Sequence, residues 1–208
     1  MRPIPDVPPA ITRYRAIGGV LDFALFEGSD GSDDDLFAAI RAAIPAEIAL
    51  DRAVLQSFGS RQLPLAEFLG DWCDAVTGHL IRRGKWYAQD GREFDNPELV
   101  SLEGVVGDGG VCFPPDAGSG GQFAYAFLCP PRGDLAASPV EIQALFNELR
   151  AVIFPVGADL DIRDWSRPEL GEASEYFACG FDEWGIFLFT IHQPATGRLV
   201  AIAAAAAF

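Results

Sequence analysis

The histidines and cysteines are the side chains of this sequence best suited to nucleophilic or general-base chemistry near neutral pH. The histidines are His79 and His192, and the cysteines are Cys73, Cys112, Cys129 and Cys179. A thiol becomes a strong nucleophile when a base within hydrogen-bonding reach takes its proton. One hypothesis is therefore a small enzyme that uses a Cys or His in a cleft, with His192 and Cys129 as candidate catalytic residues.

The sequence carries no local motif of a known catalytic or metal-binding class. It contains no G-x-S-x-G, no H-E-x-x-H and no P-loop, and no two cysteines form a C-x-x-C pair. A calcium-binding EF-hand loop starting at Asp30 would need Gly and Glu at its sixth and twelfth positions, where Asp35 and Arg41 stand instead. We therefore expect no metal and no cofactor, and we favour binding over catalysis.

The segment 176–194, YFACGFDEWGIFLFTIHQP, combines a Cys, two acids, a Trp and a His with many bulky apolar residues. Its alternation predicts a β-hairpin with two apolar faces, so both strands are expected at the centre of a covered sheet. The turn would carry Asp182, Glu183 and Trp184, while His192 would stand at the opposite end. A strand of about six residues separates the two ends by roughly 20 Å. This distance excludes an acid–base pair between Glu183 and His192 within the hairpin.

Acidic residues greatly outnumber basic ones, and the 208 residues carry a formal net charge of −15. Such a surface repels nucleic-acid phosphates and anionic lipid, so neither nucleic acid nor a membrane is an expected partner. It attracts a basic protein, as in immunity and inhibitor proteins that neutralise basic partners. The alternative is that the charge serves solubility alone. We favour a protein-binding, immunity- or inhibitor-like domain.

The predicted binding residues lie in acid–aromatic turns that are expected to be exposed, and in one basic–aromatic stretch. The acid–aromatic turns contribute Asp182, Glu183, Trp184, Asp164 and Trp165. The Asp-rich stretch 30–35 adds to the acidic surface. The basic set is Lys85 and Trp86, within the stretch Arg82-Arg83-Gly84-Lys85-Trp86-Tyr87. A cation beside aromatic rings can hold an anionic ligand. The Gly-rich segment 104–122 is a candidate mobile binding loop.

Apolar periodicity and turn residues predict one α+β domain over 1–208, a mostly antiparallel sheet with several helices packed on it. A helical subregion at 33–84 makes the N-terminal half helical, and a sheet-rich subregion at 98–208 ends in a β-meander. After a Pro-rich extended arm, helices are predicted at 34–44, up to about 57, over 63–84 and at 139–153, the last with a Ser138–Glu141 capping box. Strands are predicted at 18–28, 98–106, 121–129 and 158–165, with a possible short strand at 110–113 and the meander from 172 onward.

The two ends of the sequence bear on location and assembly. The opening has no charged and apolar signal regions, and the longest apolar run, 199–208, is shorter than the ~20 residues of a membrane span. We expect a soluble cytoplasmic protein with reduced thiols. Fourteen arginines against the single Lys85 indicate GC-rich bacterial coding. The alanines of 198–208 suit a helix by propensity, whereas the short turn at Gly197 favours a third antiparallel strand. As an edge strand, this segment could pair with a second copy, which makes a structural or oligomerising domain the third hypothesis.

Overall fold

The computed structural model describes residues 1–105, 107–112, 114, 121–178 and 184–206, and for 107–112 it describes the backbone alone. The helices are α1 (Pro9–Ala16), α2 (Asp33–Ala43), α3 (Arg52–Phe58), α4 (Leu65–Leu69), α5 (Phe123–Leu128), α6 (Pro139–Ile153) and α7 (Leu170–Ala173), with 3₁₀ helices at Leu99–Leu102 and Glu175–Phe177. The strands are β1 (Arg2–Pro3), β2 (Asp22–Glu27), β3 (Arg61–Leu63), β4 (Gly84–Ala88), β5 (Glu93–Asp95), β6 (Gly107–Cys112), β7 (Asp161–Asp164), β8 (Ile186–Gln193) and β9 (Arg198–Ala205). This mixture confirms the predicted α+β class. Within the described ranges, no helix is long and apolar enough to cross a membrane.

The described strands form two antiparallel sheets. The larger has the order β1-β2-β9-β8-β7-β3, and the smaller has the order β5-β4-β6. β8 and β9 form a hairpin whose register runs from Ile186 opposite Ala205 to Gln193 opposite Arg198. Gly197, with a φ of 65°, closes the turn in a left-handed conformation that glycine adopts without strain.

The C-terminal strand is present but does not lie at an edge. Of the two alternatives for 198–208, strand and helix, the strand is found, over Arg198–Ala205. It pairs with β2 on one side and with β8 on the other, so its backbone groups are used within the chain. The expectation of an edge strand that could pair with a second copy is therefore wrong for this segment.

β8 and β9 are buried on both faces and connect two hydrophobic cores. Val200 and Ile202 of β9 belong to the first core, while the alternate residues Ala201 and Ala203 belong to the second. Helices α1, α4, α5 and α6 contribute to the first core, and α2, α3 and α7 contribute to the second. The prediction of a central strand covered on both faces is confirmed for 186–193. The partner strand expected just before the turn is wrong, because Glu175–Phe177 forms a 3₁₀ helix.

The long helix predicted over 63–84 is wrong, because turn-forming residues end it early. α4 stops at Leu69, and Gly70 follows with a φ of 73°. The Asp74 carboxylate then accepts hydrogen bonds from two successive backbone N–H groups at 2.8 and 3.1 Å, which forms a tight turn. The apolar side chains of the segment still face the core, since Phe68, Leu69, Trp72, Cys73 and Leu80 are buried. Leu65 is half-buried, and Val76 is 95% exposed. Instead of ending a helix, Gly84 begins β4.

Short, fully apolar runs account for the other differences from the predicted elements. The segment 121–129 contains α5 instead of a strand, and 98–106 contains the 3₁₀ helix Leu99–Leu102. Every side chain of α5 is buried, and such a helix cannot be told from a buried strand by periodicity. The opening is not simply an extended arm, because α1 begins at Pro9, where the fixed φ of proline suits a helix. Eight residues of the Gly-rich segment 104–122 lie outside the described residues, and of β6 only the backbone is described.

Local signals predict the remaining elements well. The strands expected at 18–28 and 158–165 correspond to β2 and β7, and the first two helices correspond to α2 and α3. α6 begins with the expected capping box: the Ser138 hydroxyl accepts from the Glu141 N–H at 3.3 Å, and the Glu141 carboxylate accepts from the Ser138 N–H at 2.9 Å. This long helix covers the first core and borders the cavity described below.

Removing the capping hydroxyl should destabilise the fold measurably. We expect Ser138→Ala to lower the free energy of unfolding by about 1 kcal/mol, because an N–H of the first turn loses its partner. Ser138→Gly should cost only a few tenths of a kcal/mol, since glycine is a tolerable N-cap. Chemical denaturation of both variants checks this. An alanine variant as stable as the unsubstituted protein would mean that this cap does not stabilise α6.

Candidate functional site

His192 is held as a structural side chain at the end of β8. It is buried, and its Nε2 lies 3.3 Å from the carbonyl oxygen of Ser29. Gly31 packs against the ring so closely that a Cβ there would lie 2.6 Å from Nδ1. The imidazole thus fills the space beside the loop that leads into α2.

Cys129, the other candidate catalytic residue, lies on the opposite side of the large sheet. It follows α5 and packs against the first core, whereas the alternation of β8 places His192 on the side of the second core. Its Sγ lies 3.8 Å from Nη1 of Arg82. Cys129 and His192 therefore do not form a nucleophile–base pair. The side chain of Cys112 and all of Cys179 lie outside the described residues.

Cys73 and His79 also lack the geometry of a catalytic pair. Cys73 is buried, and burial raises the pKa of its thiol to about 11. The His79 ring is half-buried, and its Nδ1 lies 3.0 Å from a carboxylate oxygen of Glu98. The imidazole thus pairs with a carboxylate instead of with the thiol.

The expectation that Asp164 and Trp165 form an exposed acid–aromatic turn is wrong. Asp164 is 4% exposed and accepts hydrogen bonds at 2.9 Å from the N–H groups of Gly121 and Ser166. Trp165 is buried, and its Nε1 donates to the hydroxyl of Thr190 at 3.0 Å. Both side chains are inside the fold, where distant partners satisfy their polar atoms.

The second acid–aromatic turn is described only at one residue. Asp182 and Glu183 lie outside the described residues. Trp184 is half-buried, its Nε1 donates to the carbonyl oxygen of Cys129 at 2.5 Å, and its ring packs edge-on against Phe187. Trp184 therefore anchors the start of β8 to the end of α5.

The basic–aromatic stretch forms one wall of a cavity of about 390 Å³. Trp86 and Tyr87 of β4 line it together with Phe94 of β5, whereas the exposed Lys85 does not. The opposite wall comes from the 3₁₀ helix Leu99–Leu102 and from the start of α6. Small-molecule sites have volumes of roughly 300–1,000 Å³, so the cavity is large enough for a small ligand. We call it the Arg82 pocket.

Arg82 is the fixed cation of this pocket. Its guanidinium lies over the Trp86 ring, 4.8 Å from the centroid, and its Nη2 donates to Asp134 at 2.7 Å. Burial acts to lower the pKa of Arg82, but the hydrogen bond to Asp134 and the negative charges nearby outweigh this and raise the pKa. The arginine therefore remains charged. Sequence patterns could not assign Asp134 to the site, because it lies 52 residues further along the chain.

A second feature is the acidic helical face, which we define as residues 27–59 and 165–178. Its helices α2, α3 and α7 lie over the second core. These two segments contain ten acidic residues and three arginines. Nine of the ten acidic residues are exposed: Glu27, Asp30, Asp33, Asp34, Glu47, Asp51, Glu169, Glu172 and Glu175. The stretch 30–35 was evident from the sequence, but the three glutamates near α7 join it only through the fold.

Neither metal binding nor sequence similarity identifies the site. Among the side chains that the structure describes, no group of three or more His, Cys, Asp or Glu is placed to hold a metal ion. No protein-family model matches the chain, and searches of curated proteins and of solved structures find no match either.

The buried Cys73 thiol should react slowly with alkylating reagents. At pH 8, a pKa of about 11 in place of the ordinary 9.0 lowers the thiolate fraction about 100-fold. The raised pKa stabilises the fold below pH 9, and this contribution is lost as the pH rises toward 11. Iodoacetamide labelling followed by mass spectrometry checks the rate, with urea-unfolded protein as the control. Equal labelling rates in the native and unfolded states would contradict the buried position.

Replacing Asp164 should destabilise the protein. Asp164→Ala leaves two backbone N–H groups without their acceptor, and we expect a loss of about 3 kcal/mol in the free energy of unfolding. The exposed acid Asp159 provides a matched control, and its alanine variant should stay within about 0.5 kcal/mol. Urea titration measures both. If Asp164→Ala is as stable as Asp159→Ala, the structural role is refuted.

Proposed function

We propose that this chain is a non-catalytic, immunity- or inhibitor-like protein-binding domain of a bacterial cytoplasm, whose acidic helical face binds a basic protein. The observation that carries the proposal is the segregation of charge. The acidic helical face holds a formal charge of −7, almost half of the total of −15, in 47 of the 208 residues. Such a concentrated field steers a cationic partner toward this face.

Two of the three arginines of this face bind backbone carbonyl oxygens, so most of its carboxylates have no counter-ion among the described residues. Arg41 donates to the carbonyl oxygens of residues 44–46, and Arg167 donates to those of residues 58 and 59. Of the three arginines of this face, Arg52 is the one that pairs with a carboxylate among the described residues, that of Asp34, and its guanidinium lies over the Phe37 ring. Both Arg41 and Arg167 act mainly as hydrogen-bond donors to loop carbonyls.

Unpaired carboxylates on one face repel each other, and this repulsion favours a cationic partner. Among the described residues, ion pairs involve two of the ten acids of the face, Glu27 with Arg2 and Asp34 with Arg52. Repulsion among like charges destabilises the compact state, and a basic surface that covers the face would relieve it. Binding is also favoured over catalysis because Cys129 and His192 lie on opposite sides of the sheet.

Charge removal on the acidic helical face should slow association with the partner. The variant Asp33→Asn/Glu172→Gln/Glu175→Gln removes three exposed charges, and we expect the association rate at low salt to fall about tenfold or more. The partner is isolated by affinity pull-down from the source cells and purified. Stopped-flow mixing then measures the rate at several salt concentrations.

The matched control removes the same charge elsewhere. Asp71→Asn/Glu93→Gln/Asp95→Asn neutralises three exposed acids outside the acidic helical face, and its association rate should change less than about twofold. Equal effects of the two triple variants would indicate a net-charge effect without a specific face. An association rate independent of salt would refute the electrostatic mechanism.

A further inference from the structure

The Arg82 pocket is chemically unlike the acidic helical face. It lies on the side of the first core and is lined mainly by apolar and aromatic side chains, such as Trp86, Phe94, Leu102 and Ile142. Of the thirteen described residues that line the pocket, only Arg82 and Asp134 carry a charge. A ligand that fits this lining has an apolar body and one charged group.

Arg82 is preorganised to bind an anion. Its side chain is only 16% exposed, and its guanidinium carbon lies over the Trp86 ring, 4.8 Å from the centroid. Hydrogen bonds also hold the backbone of Arg82. Its N–H donates to the carbonyl oxygen of Pro97 at 2.9 Å, and the carbonyl oxygen of Arg82 accepts from Trp86 Nε1 at 3.2 Å. A planar guanidinium held in place matches the two oxygens of a carboxylate with little loss of side-chain entropy.

The carboxylate that now pairs with Arg82 can leave at small cost. The Asp134 side chain is 77% exposed, whereas that of Arg82 is largely buried. The exposed carboxylate can leave the ion pair and be hydrated by water instead. Breaking such a pair therefore changes the binding equilibrium constant by at most about a few-fold. A ligand carboxylate can therefore replace Asp134, while the apolar body of the ligand gains contact with the pocket wall.

Cations and phosphate esters fit the pocket less well. The faces of Trp86 and Phe94 already carry the guanidinium groups of Arg82 and Arg92, at 4.8 and 5.7 Å. The nearby start of α6 offers no spare donors in its first turn: Pro139 has no N–H, and the Val140 N–H donates to Glu103 at 3.0 Å. A dianionic phosphate would therefore meet a single cation on a strongly acidic protein.

We propose that the Arg82 pocket binds an apolar monocarboxylate, such as a medium-chain fatty acid or an aryl-alkyl acid. The ligand carboxylate pairs with Arg82 in place of Asp134, and the hydrocarbon body lies against Trp86, Phe94 and the start of α6. This binding is independent of the proposed protein–protein function, because the pocket and the acidic helical face lie on opposite sides of the large sheet. Either proposal can fail without the other.

Octanoate is the test ligand, with 1-octanol and octylammonium as uncharged and cationic analogues. Binding is followed by the indole N–H resonance of Trp86 in two-dimensional NMR, assigned with Trp86→Phe. We expect saturable binding of octanoate at concentrations up to about 10 mM, and affinity for the two analogues at least about tenfold lower. No saturable binding in this range, or equal binding of octanol, would overturn the proposal. Tighter binding of octylammonium would instead indicate recognition of a cation by Asp134.

Three single substitutions assign the carboxylate contact. Arg82→Gln should weaken octanoate binding at least about tenfold. The control is Arg83→Gln, because Arg83 is a neighbouring arginine that does not line the pocket, and this variant should leave octanoate binding unchanged. Asp134→Asn removes the competing carboxylate and should tighten binding by up to about fivefold, an effect that a merely structural Asp134 would not produce. Weaker binding by Asp134→Asn would overturn the proposal, and this variant remains informative even if Arg82→Gln fails to fold.

Discussion

The pairing of β8 with β9 is the interaction on which the rest of the structure depends. Both strands are buried on their two faces, and their alternate side chains supply the middle of two separate cores. Apolar burial at roughly 25 cal/mol per Å² makes such strands strongly stabilising, and the one charged side chain on them, that of Arg198, stands at the first position of β9. The small alanines of β9 on the second-core side let α2 pack close to the sheet. The helices of both layers are positioned relative to this hairpin.

This arrangement separates two surfaces of opposite chemistry. The layer of α2, α3 and α7 carries a dense set of carboxylates, whereas the layer on the other side holds a cavity with one buried cation. A sheet with a dry core on each side keeps the acidic helical face away from Arg82. The pocket can therefore hold an anion although the protein as a whole repels anions. Two independent recognition functions are thus compatible with one compact fold.

Sequence patterns predict the elements whose signals are local and miss those that depend on distant contacts. The Ser138 capping box and the alternation of 186–193 need only neighbouring residues, and both are found. Asp164 and Trp165 have the composition of an exposed turn, yet they are buried because partners 43 and 25 residues away satisfy their polar atoms. The Arg82 stretch was recognisable as a possible anion site, but its cavity arises only when β4, β5 and the start of α6 come together.

In the proposed function, the acidic helical face is the surface that binds a partner protein. Hydrogen–deuterium exchange of the complex with the isolated partner tests this most directly, because it reports which backbone amides become protected on binding. If this face binds the partner, we expect added protection at α2, α3 and α7, with β4, β5 and Leu99–Leu102 unchanged. Protection confined to the strands and the 3₁₀ helix around the Arg82 pocket, with none at α2, α3 or α7, would contradict it.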